Sequence, residues 1–281
     1  MFTKRVLNLG EIKMIKKLMI LGMVLILGIC GLSGCLGPQT TDYFNGEYDV
    51  TEDTILKVTT FNGQIEINFW DGETVSFNAI KKSRLGQDEL DKAEINVLES
   101  DDLIEIVAEY VGTRSTTPSV DMNIKIPKNV TVEYVKTSNG AILINEVKGN
   151  ISVTTSNGDI EIENIKGYIS ASTSNGRIDV KDTTGVKDLK TSNGRIYAEI
   201  FDFIDDITIS SSNGGIEIYI NPQLNADIEM TTSNGQISIS GISLNVTNSE
   251  DKHIVGKLGL GGNKIDIHTS NGNIYLRKLE V

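Results

Sequence analysis

Residues 155–162 read Thr155-Ser156-Asn157-Gly158-Asp159-Ile160-Glu161-Ile162, and residues 173–180 repeat the phrase as Thr173-Ser174-Asn175-Gly176-Arg177-Ile178-Asp179-Val180. The same Asn-Gly corner recurs at Asn62, Asn139, Asn157, Asn175, Asn193, Asn213, Asn234 and Asn271, with gaps of 77, 18, 18, 18, 20, 21 and 37 residues. A basic period of 18–21 residues marks a chain built from stacked coils. The gaps of 37 and 77 are about two and four periods, so unmarked or interrupted coils are expected to fill them, giving roughly a dozen coils and a stack of about 55–60 Å.

Alternation on both sides of the corner assigns strands. After each Gly, Ile65/Ile67, Ile142/Ile144, Ile160/Ile162, Ile178/Val180, Ile196/Ala198, Ile216/Ile218, Ile237/Ile239 and Ile274/Leu276 share one face, with polar residues between them. Before each Asn, the pairs Leu56/Val58, Ile151/Val153, Ile169/Ala171, Ile207/Ile209, Ile228/Met230 and Ile265/Ile267 do the same. A period of two is that of a strand with one buried face, so each coil carries two short strands with these pairs inward. The second turn often holds glycine, at Gly149, Gly167 and Gly185, where a positive φ is expected.

Asn-Gly is also the strongest short hairpin signal, but a hairpin array need not keep the same residue types at the same phase. Here Thr60, Thr137, Thr155, Thr173, Thr191, Ser211, Thr232 and Thr269 all stand two residues before the corner Asn. Stacked columns of Thr, Ser and Asn can hydrogen-bond from coil to coil and satisfy the corner backbone. The expected fold is therefore all-β, a single-chain parallel β-solenoid with 18–21 residues per coil. Glu133 and Lys187 fall at buried phases, so the strand around each should be shifted or bulged.

Residues 1–34 read as an address. Lys16-Lys17 precede the apolar run Leu18–Ile29, which ends Leu32-Ser33-Gly34-Cys35: a basic region, a short apolar core and a small residue before cysteine, the pattern of a signal peptide whose ending resembles a prokaryotic lipobox. That resemblance implies lipid on Cys35 and a membrane partner through this anchor, on the extracytoplasmic face. The other reading is one uncleaved N-terminal transmembrane anchor. Met14 would open a conventional signal, so residues 1–13 read as lying upstream of the start. Residues 35–42 are expected to form a tether, 43–136 the irregular first coils, and 137–281 the regular repeats with a loop or hairpin projecting near 243–262.

The chain carries a formal net charge of −12, and without residues 1–34 this becomes −16. Nucleic acid is excluded as a partner, since displacing phosphate counterions needs clustered Lys and Arg. Cys30 and Cys35 are the only cysteines, so no disulfide framework supports the body. Carboxylates such as Asp159, Glu161, Asp179 and Glu217 fall on outward phases, with Asp159 beside Arg177 one coil on, as solvated strand faces require. His253 and His268 are the only histidines and form no ligand pattern; no metal, cofactor or catalytic residue is assigned. Tyr197, Tyr219 and Tyr275 face outward, where they could stack on sugar rings, although tyrosine also suits exposed strands. Asn129, Asn150 and Asn245 begin Asn-x-Ser/Thr triplets, which are glycan acceptors in a host that modifies its surface proteins.

Val120-Asp121-Met122-Asn123-Ile124-Lys125-Ile126-Pro127, the repeats from Thr137 onward, and the ending from Gly256-Lys257-Leu258-Gly259-Leu260-Gly261-Gly262 through Ile274 resemble the prokaryotic putative-adhesin family, a domain of unknown function. The resemblance covers most of the chain and implies an envelope-exposed β-solenoid without catalytic residues. The function expected is a lipid-anchored, non-catalytic surface solenoid that binds envelope polysaccharide, protein or other extracellular material, or stiffens the envelope. The competing readings are a carbohydrate-active enzyme on the same solenoid and an envelope-stress sensor.

Overall fold

The computed structural model describes residues 39–100, 102–113 and 117–280. In chain order the strands are β1 (Thr40–Asp49), β2 (Ile55–Thr60), β3 (Ile65–Phe69), β4 (Thr74–Ser83), β5 (Ala93–Ser100), β6 (Leu103–Tyr110) and β7 (Ser119–Ile126). They continue with β8 (Thr131–Lys136), β9 (Ile142–Asn145), β10 (Ile151–Thr154), β11 (Ile160–Thr173), β12 (Ile178–Thr191), β13 (Ile196–Ile200) and β14 (Ile207–Ser211). The last are β15 (Ile216–Ile220), β16 (Ala226–Thr232), β17 (Ile237–Ser240), β18 (Leu244–Glu250), β19 (His253–Leu258), β20 (Lys264–Thr269) and β21 (Ile274–Lys278). One short helix, α1 (Gln87–Leu90), lies between β4 and β5.

The chain is a parallel β-solenoid with two long faces. Strands leading into the corners form the leading sheet, in which β6, β2, β8, β10, the second half of β11, the second half of β12, β14, β20 and β16 pair in parallel. Strands leaving the corners form the trailing sheet: β7, β3, β9, the first halves of β11 and β12, β13, β15, β21 and β17. A short third side is closed by the bridges Thr131–Lys148 and Lys148–Lys166, and it turns Val147, Ile165 and Thr183 inward.

Every inward pair read from the alternation is buried, except that Ile237 and Ile239 on the last level are only half-buried. Isoleucine fits because a β-branched side chain is already stiff at χ1 and fills the pleated layer between sheets at little entropic cost. Glu133 and Lys187 are bulge residues: Leu56 faces Val132 while Lys57 faces Tyr134, and Ile169 faces Val186 while Ser170 faces Asp188. The extra residue lets each charge escape the core without breaking the ladder.

The corner is held by a repeated set of bonds. Asn157, Asn175, Asn193, Asn213, Asn271 and Asn234 each donate Nδ2–H to the Oδ1 of the Asn one level below, beginning at Asn139, over 2.7–2.9 Å. The buried Thr or Ser two residues earlier donates its hydroxyl to the Gly carbonyl of the adjacent level, as in Thr155 to Gly140 (3.1 Å) and Thr191 to Gly176 (3.0 Å). Asn62 stands outside the side-chain ladder, its amide donating to the Pro118 carbonyl at 2.9 Å.

Corner glycines are required by contact. A Cβ on Gly158, Gly176, Gly194 or Gly214 would lie 1.8–1.9 Å from the carbonyl oxygen of the Gly beneath it, and none of these four has a positive φ. At the second turn, Gly149 (φ 141°) and Gly167 (φ 157°) take positive φ. Gly185 does not, contrary to the expectation; a Cβ there would lie 2.0 Å from the Asp202 carbonyl oxygen, so the position needs glycine for close approach. The left-handed residues shared by successive second turns are Glu146, Asn164 and Asp182.

Two expectations from the gap lengths fail together. Asn139 stacks directly on the Asn62 corner, the Gly63 N–H donating to the Asn139 carbonyl at 2.9 Å, so the 77-residue gap holds no coils between them. Instead β6 and β7 form an outer level beyond β2 and β3, and β4 and β1 extend the trailing sheet antiparallel while β5 extends the leading sheet. Likewise β20 and β21, the last strands in the chain, insert between β14/β15 and β16/β17. The stack thus has nine levels and is about 38 Å long at the ~4.8 Å strand spacing, shorter than the dozen coils expected. Residues 243–262 do not project: β18 and β19 form a hairpin, and β19 lies antiparallel along β16.

Candidate functional site

The trailing sheet's outer surface gathers the side chains between the inward isoleucines. Register places Glu161, Asp179, Tyr197, Glu217, Tyr275 and Ser238 in one column up the stack, and Glu163, Lys181, Glu199, Tyr219, Arg277 and Ser240 in the next. Both columns follow from the period of two, which turns residues i and i+2 to the same side.

Three tyrosines lie on neighbouring levels of this surface. Tyr197 and Tyr219 pack diagonally with ring centroids 5.4 Å apart at 40°, and Tyr275 stands beside Glu217 on the following level. Each ring carries a charged neighbour or bond: Lys181 Nζ sits 5.4 Å from the Tyr197 centroid, and the Arg277 guanidinium 5.3 Å from that of Tyr275. The Tyr197 hydroxyl donates to Glu199 (2.9 Å) and the Tyr219 hydroxyl to Glu217 (3.2 Å). Burial against neighbouring side chains, and then the bond to Glu199, push the Tyr197 phenol far above its ordinary value; Tyr219 is raised by burial and by Glu217. Both phenols remain neutral donors at physiological pH.

Several carboxylates here pair with basic side chains. Arg177 grips Asp159 through Nε (3.0 Å), Nη2 (2.7 Å) and its backbone N–H (2.8 Å). Partial burial pushes Asp159 up, but these bonds and the guanidinium charge outweigh it and hold the carboxyl below its usual range. Arg277 Nε pairs with Glu217 at 2.9 Å and Lys181 with Asp179 at 3.2 Å. A small cleft of about 130 Å³ opens between Glu161, Glu163, Asp179 and Lys181. Such a surface can stack rings against tyrosine faces and offer hydrogen bonds from fixed charges.

Other expected positions scatter. The Asn129 amide donates to the Thr51 carbonyl at 2.7 Å, and Asn150 Oδ1 accepts the Tyr168 N–H at 3.0 Å, so both acceptor amides are tied into turns. Asn245 is exposed on β18. His253 and His268 flank Thr231 on the leading sheet, within 2.9 Å of Glu229 and 3.5 Å of Asp266 respectively. Cys35 and the apolar run before it lie outside the described residues, among which no helix is long and apolar enough to cross a membrane and no group of metal-ligating side chains occurs. One feature escaped the sequence reading: a cavity of about 360 Å³ at the β3–β4 turn, lined by Val50, Phe69, Trp70, Glu73, Lys128 and Asn129. Its walls come from turns of two different coils, and Trp70, the only tryptophan, was the available signal.

Residues 113–277 match the model of the family described as Toastrack DUF4097. No curated protein matches the chain. Among solved structures, a "putative cell adhesion protein" from Clostridium sporogenes is 14% identical, with a TM-score of 0.39, over 86% of this chain and 100% of its own. A "putative adhesin" from Bacteroides fragilis is 12% identical at a TM-score of 0.39, over 84% and 97%. A "putative lipid binding protein" from Parabacteroides distasonis is 14% identical at 0.38, over 85% and 97%.

Proposed function

Because the chain belongs to the Toastrack DUF4097 family, and with the trailing face in view, we propose that it is a non-catalytic, lipid-anchored surface solenoid that binds envelope or extracellular polysaccharide in an adhesin-like manner. The observation that carries this reading is the row of Tyr197, Tyr219 and Tyr275 on consecutive levels, interleaved with Lys181 and Arg277. Rings held at the strand spacing suit an extended polymer better than a small molecule, because weak contacts repeated along a rigid face gain affinity through avidity. Tyrosine adds contact area at low entropic cost.

The test is saturable binding of the purified chain to its own cell envelopes, before and after glycans or proteins are stripped. Binding lost only with the glycans, and weakened at least tenfold by Tyr197→Ala with Tyr219→Ala, is the expected result. Binding that survives glycan removal, or that ignores both tyrosines, would overturn the reading.

A further inference from the structure

The two ends of the stack are finished differently. At the β6/β7 end both sheets are extended by antiparallel strands, and the edges they present carry Asp42, Glu47 and Asp49 on β1 and Glu94 and Glu99 on β5. Charge on an edge strand is a standard guard against strand addition. At the opposite end the leading sheet runs two strands further, through β19 and β18, while the trailing sheet stops at β17, which among the described residues pairs only with β21. The result is a step, with the β17 edge as its floor and the inner face of the hairpin as its wall.

The floor offers free backbone. Ile274 N–H donates to the Gln236 carbonyl at 2.9 Å, so in a parallel ladder the N–H and C=O groups of Ser238 and Ser240 turn toward β21 and those of Ile237 and Ile239 turn outward. Half-buried Ile237, Ile239, Ile242, Leu244 and Ile254 line the step with Val246, which is 43% exposed. No charged residue occurs between Glu229 and Glu250, in a chain whose net charge is −12. β18 is also an edge, but a register shift between Val246 and Asn248 interrupts it. β17 has neither charge, proline nor bulge.

We propose that this step is a strand-acceptor site, which takes an extended segment of a partner protein that is uncharged and apolar at alternate positions. The added strand would bond Ile237 and Ile239 through its backbone and place its apolar side chains against Ile239 and Val246, a mode of recognition in which main-chain bonds give affinity and alternate side chains give selectivity. A second copy fits poorly. Antiparallel β17–β17 pairing about a twofold axis puts both hairpins on the same side, each in the space of the other's β16. Head-to-tail pairing would bring the acidic β1 edge onto the neutral floor. This site is separate from the tyrosine face and does not depend on it.

The probe is a fluorescein-labelled peptide copying residues 233–241, Ser-Asn-Gly-Gln-Ile-Ser-Ile-Ser-Gly, titrated with the full chain in detergent and read by anisotropy. Saturable binding is expected, at least tenfold weaker in Ile239→Pro, which deletes an outward N–H while leaving the bonds to β21 in place. The same loss is expected in Val246→Lys, which leaves every strand pairing intact, and no change is expected in Ser238→Ala. Absence of binding, or equal binding by Ile239→Pro and Val246→Lys, overturns the proposal. So does a dimer of the chain alone that Val246→Lys dissolves, since the occupant would then be a second copy.

Discussion

Adjacent glycines at one corner give the sharpest test of what holds the levels together. A Cβ on Gly214 would sit 1.8 Å from the Gly194 carbonyl oxygen and 2.4 Å from its carbon, whereas a Cβ on Gly215 would meet only the Asn273 carbonyl, at 3.3 Å. Gly214→Ala must therefore push two levels apart by more than an ångström at the corner. Three interlevel bonds lie within that region: Asn213 N–H to the Ser192 carbonyl (2.8 Å), Asn213 Nδ2 to Asn193 Oδ1 (2.8 Å) and Ser211 Oγ to the Gly194 carbonyl (2.9 Å). At about 1 kcal/mol net for each bond, the expected loss is about 3 kcal/mol. Gly215→Ala needs a shift of a few tenths of an ångström, and the restriction of the unfolded chain returns about 0.4–1 kcal/mol, so its net effect should be under about 1 kcal/mol. Other levels support this, since Asp159, Arg177 and Arg195 occupy the same phase. Urea unfolding followed by Trp70 fluorescence and by circular dichroism checks both variants in parallel. Equal destabilisation would refute the close-approach argument and leave backbone flexibility as the reason for glycine.

Asn175→Ala removes two rungs of the ladder, to Asn157 (2.7 Å) and from Asn193 (2.8 Å); because both are solvent-exposed, a loss of about 1–2 kcal/mol is expected by urea titration, and a loss above that of Gly214→Ala would be inconsistent with the account. Ile216→Ala, fully buried on β15, should cost about 2–5 kcal/mol in the same assay. The Glu229 carboxyl is held low by hydrogen bonds from Lys264 and His253 and by their charges. A depressed folded value means its stabilisation is present above the unfolded value of about 4.3 and lost as pH falls through the folded value. The stability gap between the wild type and Glu229→Gln should therefore close as pH drops below about 4; a gap that widens there contradicts the assigned partners.

The regular levels were legible because each residue's environment repeats at a fixed distance in sequence. Ile160 and Ile178 are both inward and both two residues after a corner Gly, so period and phase together place them. The bulges at Glu133 and Lys187 were legible for the converse reason: a charge at a buried phase has no stable alternative to an extra residue. The ends were not legible. β4, β5, β18 and β19 pair antiparallel and need no corner phrase, and the placement of β20–β21 between β14/β15 and β16/β17 is a long-range pairing that no local pattern encodes. Gap length could not distinguish intervening coils from an excursion into a cap. At the candidate site, alternation told that Tyr197 and Tyr219 face outward, but their diagonal contact depends on the 20-residue coil between Asn193 and Asn213 keeping register, which only the paired strands display.

The unequal ends give the solenoid a direction. Thr40 enters at the end where both sheets are extended and acidic, and the uncharged β17 step lies ten strand spacings from β1 along the trailing sheet, about 48 Å away. If the chain is anchored through Cys35, as proposed, only the residues between Cys35 and Thr40 separate the lipid from β1. The guarded end then faces the membrane and the step points away from it, with the tyrosine face running along the side between them. The same rigidity that stacks Asn on Asn would hold a polymer-binding flank and a strand-accepting tip at a fixed separation. Releasing the anchor by Cys35→Ser should leave peptide binding at the tip and glycan binding on the flank each unchanged, while abolishing retention on membranes. Loss of either binding activity with the anchor would show that the membrane, and not the stack, organises the two surfaces.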